Sequence, residues 1–175
     1  MTVDATAKKV WTILDLINWG TNYFTEKGFD EARLSVELLI AHVLKLQRIQ
    51  LYTNFDKPLA DEELTALKEL IKRRLQHEPL QYITGETEFM GLKFSVDPRV
   101  LIPRPETELL VEQVIERTRN TFGGVETVRI LDVGSGSGCI AVSLAKLISN
   151  VHVTAIDISK DALEVAKANA ERNGV

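Results

Sequence analysis

The 175-residue sequence has a single cysteine, Cys139, so no disulfide can close within the chain. The segment from Met1 to Lys9 has no apolar core behind a basic start. Together these predict a reducing, cytoplasmic setting. The most apolar stretches, such as Val36 to Leu44, are broken by Glu37 and His42. None approaches the roughly 20 residues that cross a bilayer, and no membrane partner is expected. No block of five like charges occurs, and 21 Lys and Arg against 25 Asp and Glu leave a net charge of −4. Direct nucleic-acid binding is therefore not expected. There is no His-Glu-x-x-His run and no cysteine cluster, so no metal is expected. Proline is scarce too: there are five, and none follows Pro105.

What remains is an ordinary globular mixture, 45% apolar and 26% charged. The length predicts one domain, or one domain and part of another. In the first 80 residues, apolar side chains recur at intervals of three and four, which predicts a small helical bundle. One stripe is Val10, Ile13, Leu14 and Ile17; another is Leu34, Leu38, Ala41 and Leu44. The clearest is Leu64, Leu67, Ile71 and Leu75, opened by Asp61, Glu62 and Glu63 and closed by Lys72, Arg73 and Arg74, as the helix dipole favours.

From Gln81 to Val96 the pattern shifts to short runs rich in β-branched and aromatic residues. Tyr82 to Thr84, Thr87 to Met90 and Leu92 to Val96 read as extended, with Gly85 and Gly91 as turn residues. This predicts a β-hairpin linker, continued by Pro98, Pro103 and Pro105 to about residue 104. Pro105 suits a first helical position, with Glu106 and Glu108 in the first turn of a helix reaching about Arg119. The last third alternates strand and helix, the signature of a parallel sheet with crossovers. Strands are predicted at Val128 to Val133 and Val151 to Ile156, and helices from about Cys139 to Ile148 and, capped by Ser159, to about Arg172.

The chemistry is concentrated in Asp132-Val133-Gly134-Ser135-Gly136-Ser137-Gly138, where a strand turns through three alternating glycines into a helix. Glycine permits positive φ and close ligand approach, and the helix start offers unpaired N–H donors. Asp157 stands 23 residues after Gly134, at the end of the next strand, where a carboxylate can accept both hydroxyls of an adenosine ribose. A dinucleotide fingerprint needs a small residue at position 139, where this chain has Cys139, so a nicotinamide dehydrogenase is the weakest reading. The Asp-x-Gly-x-Gly-x-Gly order instead resembles the cofactor loop of class I methyltransferases, which use S-adenosylmethionine.

Upstream, Glu88-Phe89-Met90-Gly91-Leu92-Lys93-Phe94 and Leu101-Ile102-Pro103-Arg104-Pro105-Glu106-Thr107-Glu108 resemble the HemK/PrmC family, N5-glutamine methyltransferases of peptide chain release factors. Pro79 to Gly85 and the helical start are similar as well, so the resemblance covers nearly the whole chain. It implies an α-helical N-terminal bundle over residues 1–80 that docks the release factor and a β-hairpin and extended linker over 81–104. It also implies the start of an α/β, Rossmann-like class I methyltransferase domain over 105–175. By the same resemblance, Gly134, Ser135, Gly136, Ser137 and Gly138 surround the methionine part of the cofactor and Asp157 binds its ribose. Phe89, Arg104, Pro105 and Thr107 lie in signature segments beside the active site, where each could touch cofactor, substrate or only the domain junction.

The family holds its substrate amide with an Asn-Pro-Pro-Tyr motif, which this sequence lacks. The expectation is therefore a truncated protein with no catalytic residue of its own, inactive alone, its last segment marginal, swapped or self-associated. Two other readings stand beside it: a noncatalytic docking and cofactor-sensing module, and an adenine-specific nucleic-acid methyltransferase. Cys139 reads as a buried packing residue, and His42, His77 and His152 as structural or solvated. Trp11, Trp19, Tyr23 and Phe24 suit either a partner surface or a core.

Overall fold

The computed structural model describes residues 9–122 and 127–175. The expectation for the N-terminal segment lies, Lys9 apart, outside them. The chain divides into two compact units, the first ending at Thr84 and the second beginning at Gly85.

Among the described residues the first unit has five helices: α1 (Ile13–Glu26), α2 (Ala32–Leu44), α3 (Arg48–Tyr52), α4 (Asp61–Leu75) and α5 (Leu80–Thr84). Thr12 and Asp15 form a capping box at the start of α1, with Asp15 N–H donating to Thr12 Oγ1 at 3.2 Å and Thr12 N–H to Asp15 Oδ2 at 3.1 Å. The next two orphan amides, Ile13 and Leu14, donate to the carbonyls of Lys57 and Phe55. Helix α2 is the hub, packed against α1, α3, α4 and α5. It approaches α1 at Gly20, where an added Cβ would lie 2.8 Å from Val36 Cγ2.

That hub role corrects two predicted stripes. Val36, Leu39, Ile40 and Ala41 are buried while Leu34 and Leu38 are half-buried, because a helix surrounded by neighbours is apolar on more than one side. Val10 precedes α1 and is exposed, and Leu14 also faces outward, leaving Ile13, Leu16, Ile17 and Phe24 as the core of that helix. Tyr82 to Thr84 is helical rather than extended. Tyr82 and Ile83 N–H both donate to the Pro79 carbonyl and Thr84 Oγ1 to that of Leu80, so a short turn after proline overrides β propensity.

The second unit opens with an antiparallel hairpin, β1 (Glu86–Phe89) and β2 (Leu92–Ser95), in the register Phe89↔Leu92. Its two-residue turn, Met90 (φ +52°) and Gly91 (φ +70°), has positive φ at both positions, as the twist of a tight hairpin demands. Helix α6 (Glu106–Phe122) follows, with Pro105 immediately before it rather than in its first position. Then come β3 (Val128–Val133), α7 (Cys139–Leu147), β4 (Val151–Ile156) and α8 (Lys160–Asn173). Strands β3 and β4 pair in parallel from Val128↔Val151 to Val133↔Ile156, with α7 as the crossover.

One core joins these elements: Phe89 and Phe94 of the hairpin, Val111 and Ile115 of α6, and Cys139, Val142 and Leu144 of α7. The hairpin expected as a connector thus packs into the second unit, because its inward aromatic pair supplies part of that core. The opposite face of the β3–β4 pair leaves Leu131, Val133 and Ile156 exposed.

Candidate cofactor site

The glycine loop leaves β3 at Val133 and is latched to the end of β4. Gly134 and Ser135 N–H both donate to the Ile156 carbonyl (2.8 and 3.1 Å), and Gly136 N–H donates to Asp157 Oδ2 (2.8 Å). Gly138 N–H closes the turn on the Ser135 carbonyl at 2.7 Å. The other oxygen of Asp157 accepts from Ser159 N–H at 2.9 Å. These amides, Ser159 first and then Gly136, hold the Asp157 carboxyl below the usual range.

Four loop amides, those of Gly134, Ser135, Gly136 and Gly138, are thus bonded within the chain, and the donors of the helix start, from Cys139 onward, are not among them.

The three glycines differ in what they do. A Cβ added at Gly134 or Gly136 would meet nothing within 4 Å, so the chain leaves open space beside both. A Cβ at Gly138 would stand 2.9 Å from Ala166 Cβ and 3.1 Å from its Cα, so this glycine seats the loop on α8. Beside the loop, Asp132 is buried and its Oδ2 has no hydrogen-bond partner; the buried Ser135 Oγ has none either. Burial pushes the Asp132 carboxyl above its ordinary value, the Ala141 backbone amide works against this, and the charge of Asp157 adds to the rise. The loop therefore combines open space, two orphaned oxygens and a carboxylate held below its usual range, a setting suited to a cationic ligand with hydroxyl groups.

Sequence reasoning missed two polar residues that hold this unit together. Asn169 of α8, wholly buried, bonds both β2 and the loop. Glu108 of α6 accepts from Met90 N–H at 2.6 Å and so fastens the hairpin turn. A hydrophobic pattern carries no trace of either contact. The only hint was Glu108 standing at the end of the second signature segment.

The other candidates separate by burial. Phe89 is 1% exposed and meets Phe94 edge to face, so its ring is part of the core. Arg104 and Pro105 are exposed and Thr107 half-buried, and the Arg104 carbonyl accepts from Thr107 N–H at 3.0 Å. Cys139 is buried, and burial pushes its thiol up. His42, His77 and His152 are exposed, with His77 stacked on Phe29. Of the four aromatics, Phe24 is core while Trp19 is substantially exposed, stacked on Tyr23. No helix among the described residues is long and apolar enough to cross a membrane.

Comparison with known proteins agrees with this arrangement. Residues 15–85 match the PrmC N-terminal domain and residues 125–175 match a methyltransferase domain. The release factor glutamine methyltransferase of Chlorobaculum tepidum is 50% identical over 169 residues, 96% of this chain and 58% of the relative. That of Geobacter sulfurreducens is 46% identical, covering 95% and 56%, and that of Bacillus subtilis 40%, covering 93% and 56%. The chain thus spans a little over half the length of the curated relatives it matches. Over its helical unit and its glycine-loop sheet, the chain is therefore similar to the HemK/PrmC family of release factor glutamine methyltransferases.

Proposed function

We propose that this chain provides the S-adenosylmethionine site of an enzyme that methylates the side-chain amide nitrogen of a glutamine in cytoplasmic peptide chain release factors, with the helical unit docking that substrate. The observation that carries this reading is the loop itself. It has open space at Gly134 and Gly136 beside the orphaned Asp132 Oδ2 and Ser135 Oγ, with Asp157 ionised at its edge. The names of the relatives, all release factor glutamine methyltransferases, support the substrate.

The residues present fit such a cofactor. Gly134 to Gly138 would surround its methionine portion, and Asp157, whose carboxylate oxygens have acceptor sites beyond the two amide bonds, would take the ribose hydroxyls. When bound, S-adenosylmethionine supplies a methyl group on a sulfonium that departs as a thioether. The acidic pair Asp132 and Asp157 favours a positively charged ligand at the loop, and the latch to β4 holds the loop in place before binding.

An amide nitrogen is a weak nucleophile, because its lone pair is delocalised. It must be aligned with the methyl group and its developing charge stabilised. The Asn-Pro-Pro-Tyr motif that would do this is absent from these 175 residues, and the chain alone is expected not to transfer a methyl group. Methyl transfer to a release factor by the purified chain would overturn that expectation. The cofactor reading is tested by amide NMR titration with S-adenosylmethionine and, as control, NAD. Shifts at Gly134, Gly136, Gly138 and Asp157 with the first ligand alone are expected; equal responses to both, or none, would refute it.

A further inference from the structure

Asn169 is wholly buried, and every amide hydrogen it carries is used. Its Nδ2 donates to the Ser137 carbonyl in the glycine loop at 2.9 Å and to the Ser95 carbonyl of β2 at 3.0 Å. Its Oδ1 accepts from Ser95 N–H at 2.7 Å. Because the Ser95 amide is a donor, Oδ1 must face it, and the two Nδ2 hydrogens are then directed at the two carbonyls. A carboxamide is the one side chain of this size that offers a donor pair and an acceptor together.

Its neighbours on α8 reach the hairpin but make no bond to the loop. Arg172 donates to Ser95 Oγ (3.1 Å) and Glu86 Oε2 (2.8 Å), and Asn173 Nδ2 to the Lys93 carbonyl (3.0 Å). The loop also rests on α8 one turn earlier, where Gly138 meets Ala166 with no space for a Cβ. The helix therefore has one seat for the loop and a row of clamps for the hairpin, and Asn169 belongs to both.

We propose that Asn169 is a positioning residue that couples the cofactor loop to the β-hairpin, so that ligand at the loop tightens the hairpin at Ser95 and a well-seated hairpin favours ligand. The ligand rests on the cofactor reading above; the coupling rests on the Asn169 bonds. Linkage makes the two directions equal in size. A buried carbonyl or amide that loses its partner is costly, so the Ser137 and Ser95 groups cannot shift independently while Asn169 holds them.

Site-resolved amide hydrogen exchange on the 175-residue chain, with and without S-adenosylmethionine, tests this. In the unaltered chain, ligand is expected to slow exchange at Ser95 several-fold. Asn169→Ala should abolish that response and weaken ligand binding about tenfold, equivalent to about 1.4 kcal/mol. Arg172→Ala, which cuts only hairpin contacts, should keep the response and bind within about twofold of the unaltered chain. Equal effects of the two substitutions, or ligand-induced loop shifts with no change at Ser95, would overturn the coupling.

If S-adenosylmethionine moves nothing in the unaltered chain, the cofactor reading fails, and the coupling is decided without ligand. Asn169→Ala should then speed exchange at the Gly138 amide, which Asn169 does not itself bond, and Arg172→Ala should not; an unchanged Gly138 would overturn it. Should Asn169→Ala fail to fold, Asn169→Asp serves instead, since it keeps an acceptor for Ser95 N–H and removes both donors.

Discussion

Each unit buries a carboxylate, and the two are treated in opposite ways. Glu37, at the centre of α2, is 1% exposed yet accepts from Arg33 Nε (2.8 Å), Arg48 Nε (2.8 Å) and Tyr52 OH (2.7 Å). Burial alone would raise its carboxyl; the bonds from Tyr52, Arg33 and Arg48 outweigh burial and hold it below the usual range. Asp132 has one oxygen unpartnered, the Ala141 amide as its helper and Asp157 as a like charge, and its carboxyl is pushed up. Apolar surface divides along the same line. The helical unit wraps its hub on several sides, whereas the β3–β4 pair leaves Leu131, Val133 and Ile156 uncovered, although parallel sheets are ordinarily covered on both faces. The first unit satisfies its central charge internally; the second leaves an acceptor without a partner and an apolar face exposed.

The largest effect that would break this contrast is at Glu37. Arg33→Ala with Arg48→Ala leaves a buried carboxylate with only Tyr52, and should cost the helical unit about 3 kcal/mol in chemical denaturation. A loss below about 1 kcal/mol would mean that Glu37 does not need its arginines. Next come the glycines. Gly138→Ala combines positive φ with a backbone clash against Ala166 and should cost about 2–3 kcal/mol. Gly20→Ala trades a clash with Val36 methyls against better helix propensity and should cost about 1 kcal/mol. A reversal of that order would show that the loop, not the helix pair, can yield.

A smaller effect separates the carboxylates by pH. Glu37, with its folded pKa depressed, contributes stability that is present above its ordinary 4.5 and lost as pH falls through the folded value. Asp132, with its folded pKa raised, does the reverse: its ionisation opposes folding as pH rises above 3.8 through the folded value. Asp132→Asn should therefore match the unaltered chain in strong acid and become the more stable of the two toward neutrality, in paired melts across pH. A variant less stable at neutral pH would show that the carboxylate is satisfied after all. The smallest expected signal is at Cys139, where a thiol-reactive dye should label the native chain far more slowly than the unfolded one. Rapid native labelling would mean that the second core opens readily.

Strand and helix alternation after residue 127 was legible in the sequence, because β3 and β4 are short apolar runs bounded by glycine and by a serine cap, with no competing pattern. The position of Asp157 beside the loop was legible for the same reason. What escaped were side chains whose meaning lies far away in sequence. Glu37 looks like an interruption in an apolar stretch until Arg48 and Tyr52, eleven and fifteen residues on, are folded back onto it. Asn169 reads as one more polar residue on a solvated helix, although its partners, Ser95 and Ser137, are 74 and 32 positions away. The contact of Gly138 with Ala166 is a packing requirement that only the fold reveals. Periodicity reports the face an element buries; it says nothing of which polar group crosses between elements.

The aromatic row along α1 has an optical consequence. Both tryptophans, Trp11 and Trp19, and all three tyrosines, Tyr23, Tyr52 and Tyr82, precede Gly85. Tryptophan and tyrosine absorbance and fluorescence of this chain thus arise in the helical unit alone, with Trp19 stacked on Tyr23 at 5.3 Å and edge-on to Trp11 at 6.1 Å as a built-in probe. The glycine-loop unit carries no indole or phenol of its own, so a tryptophan placed there by design would give that unit its own fluorescence signal.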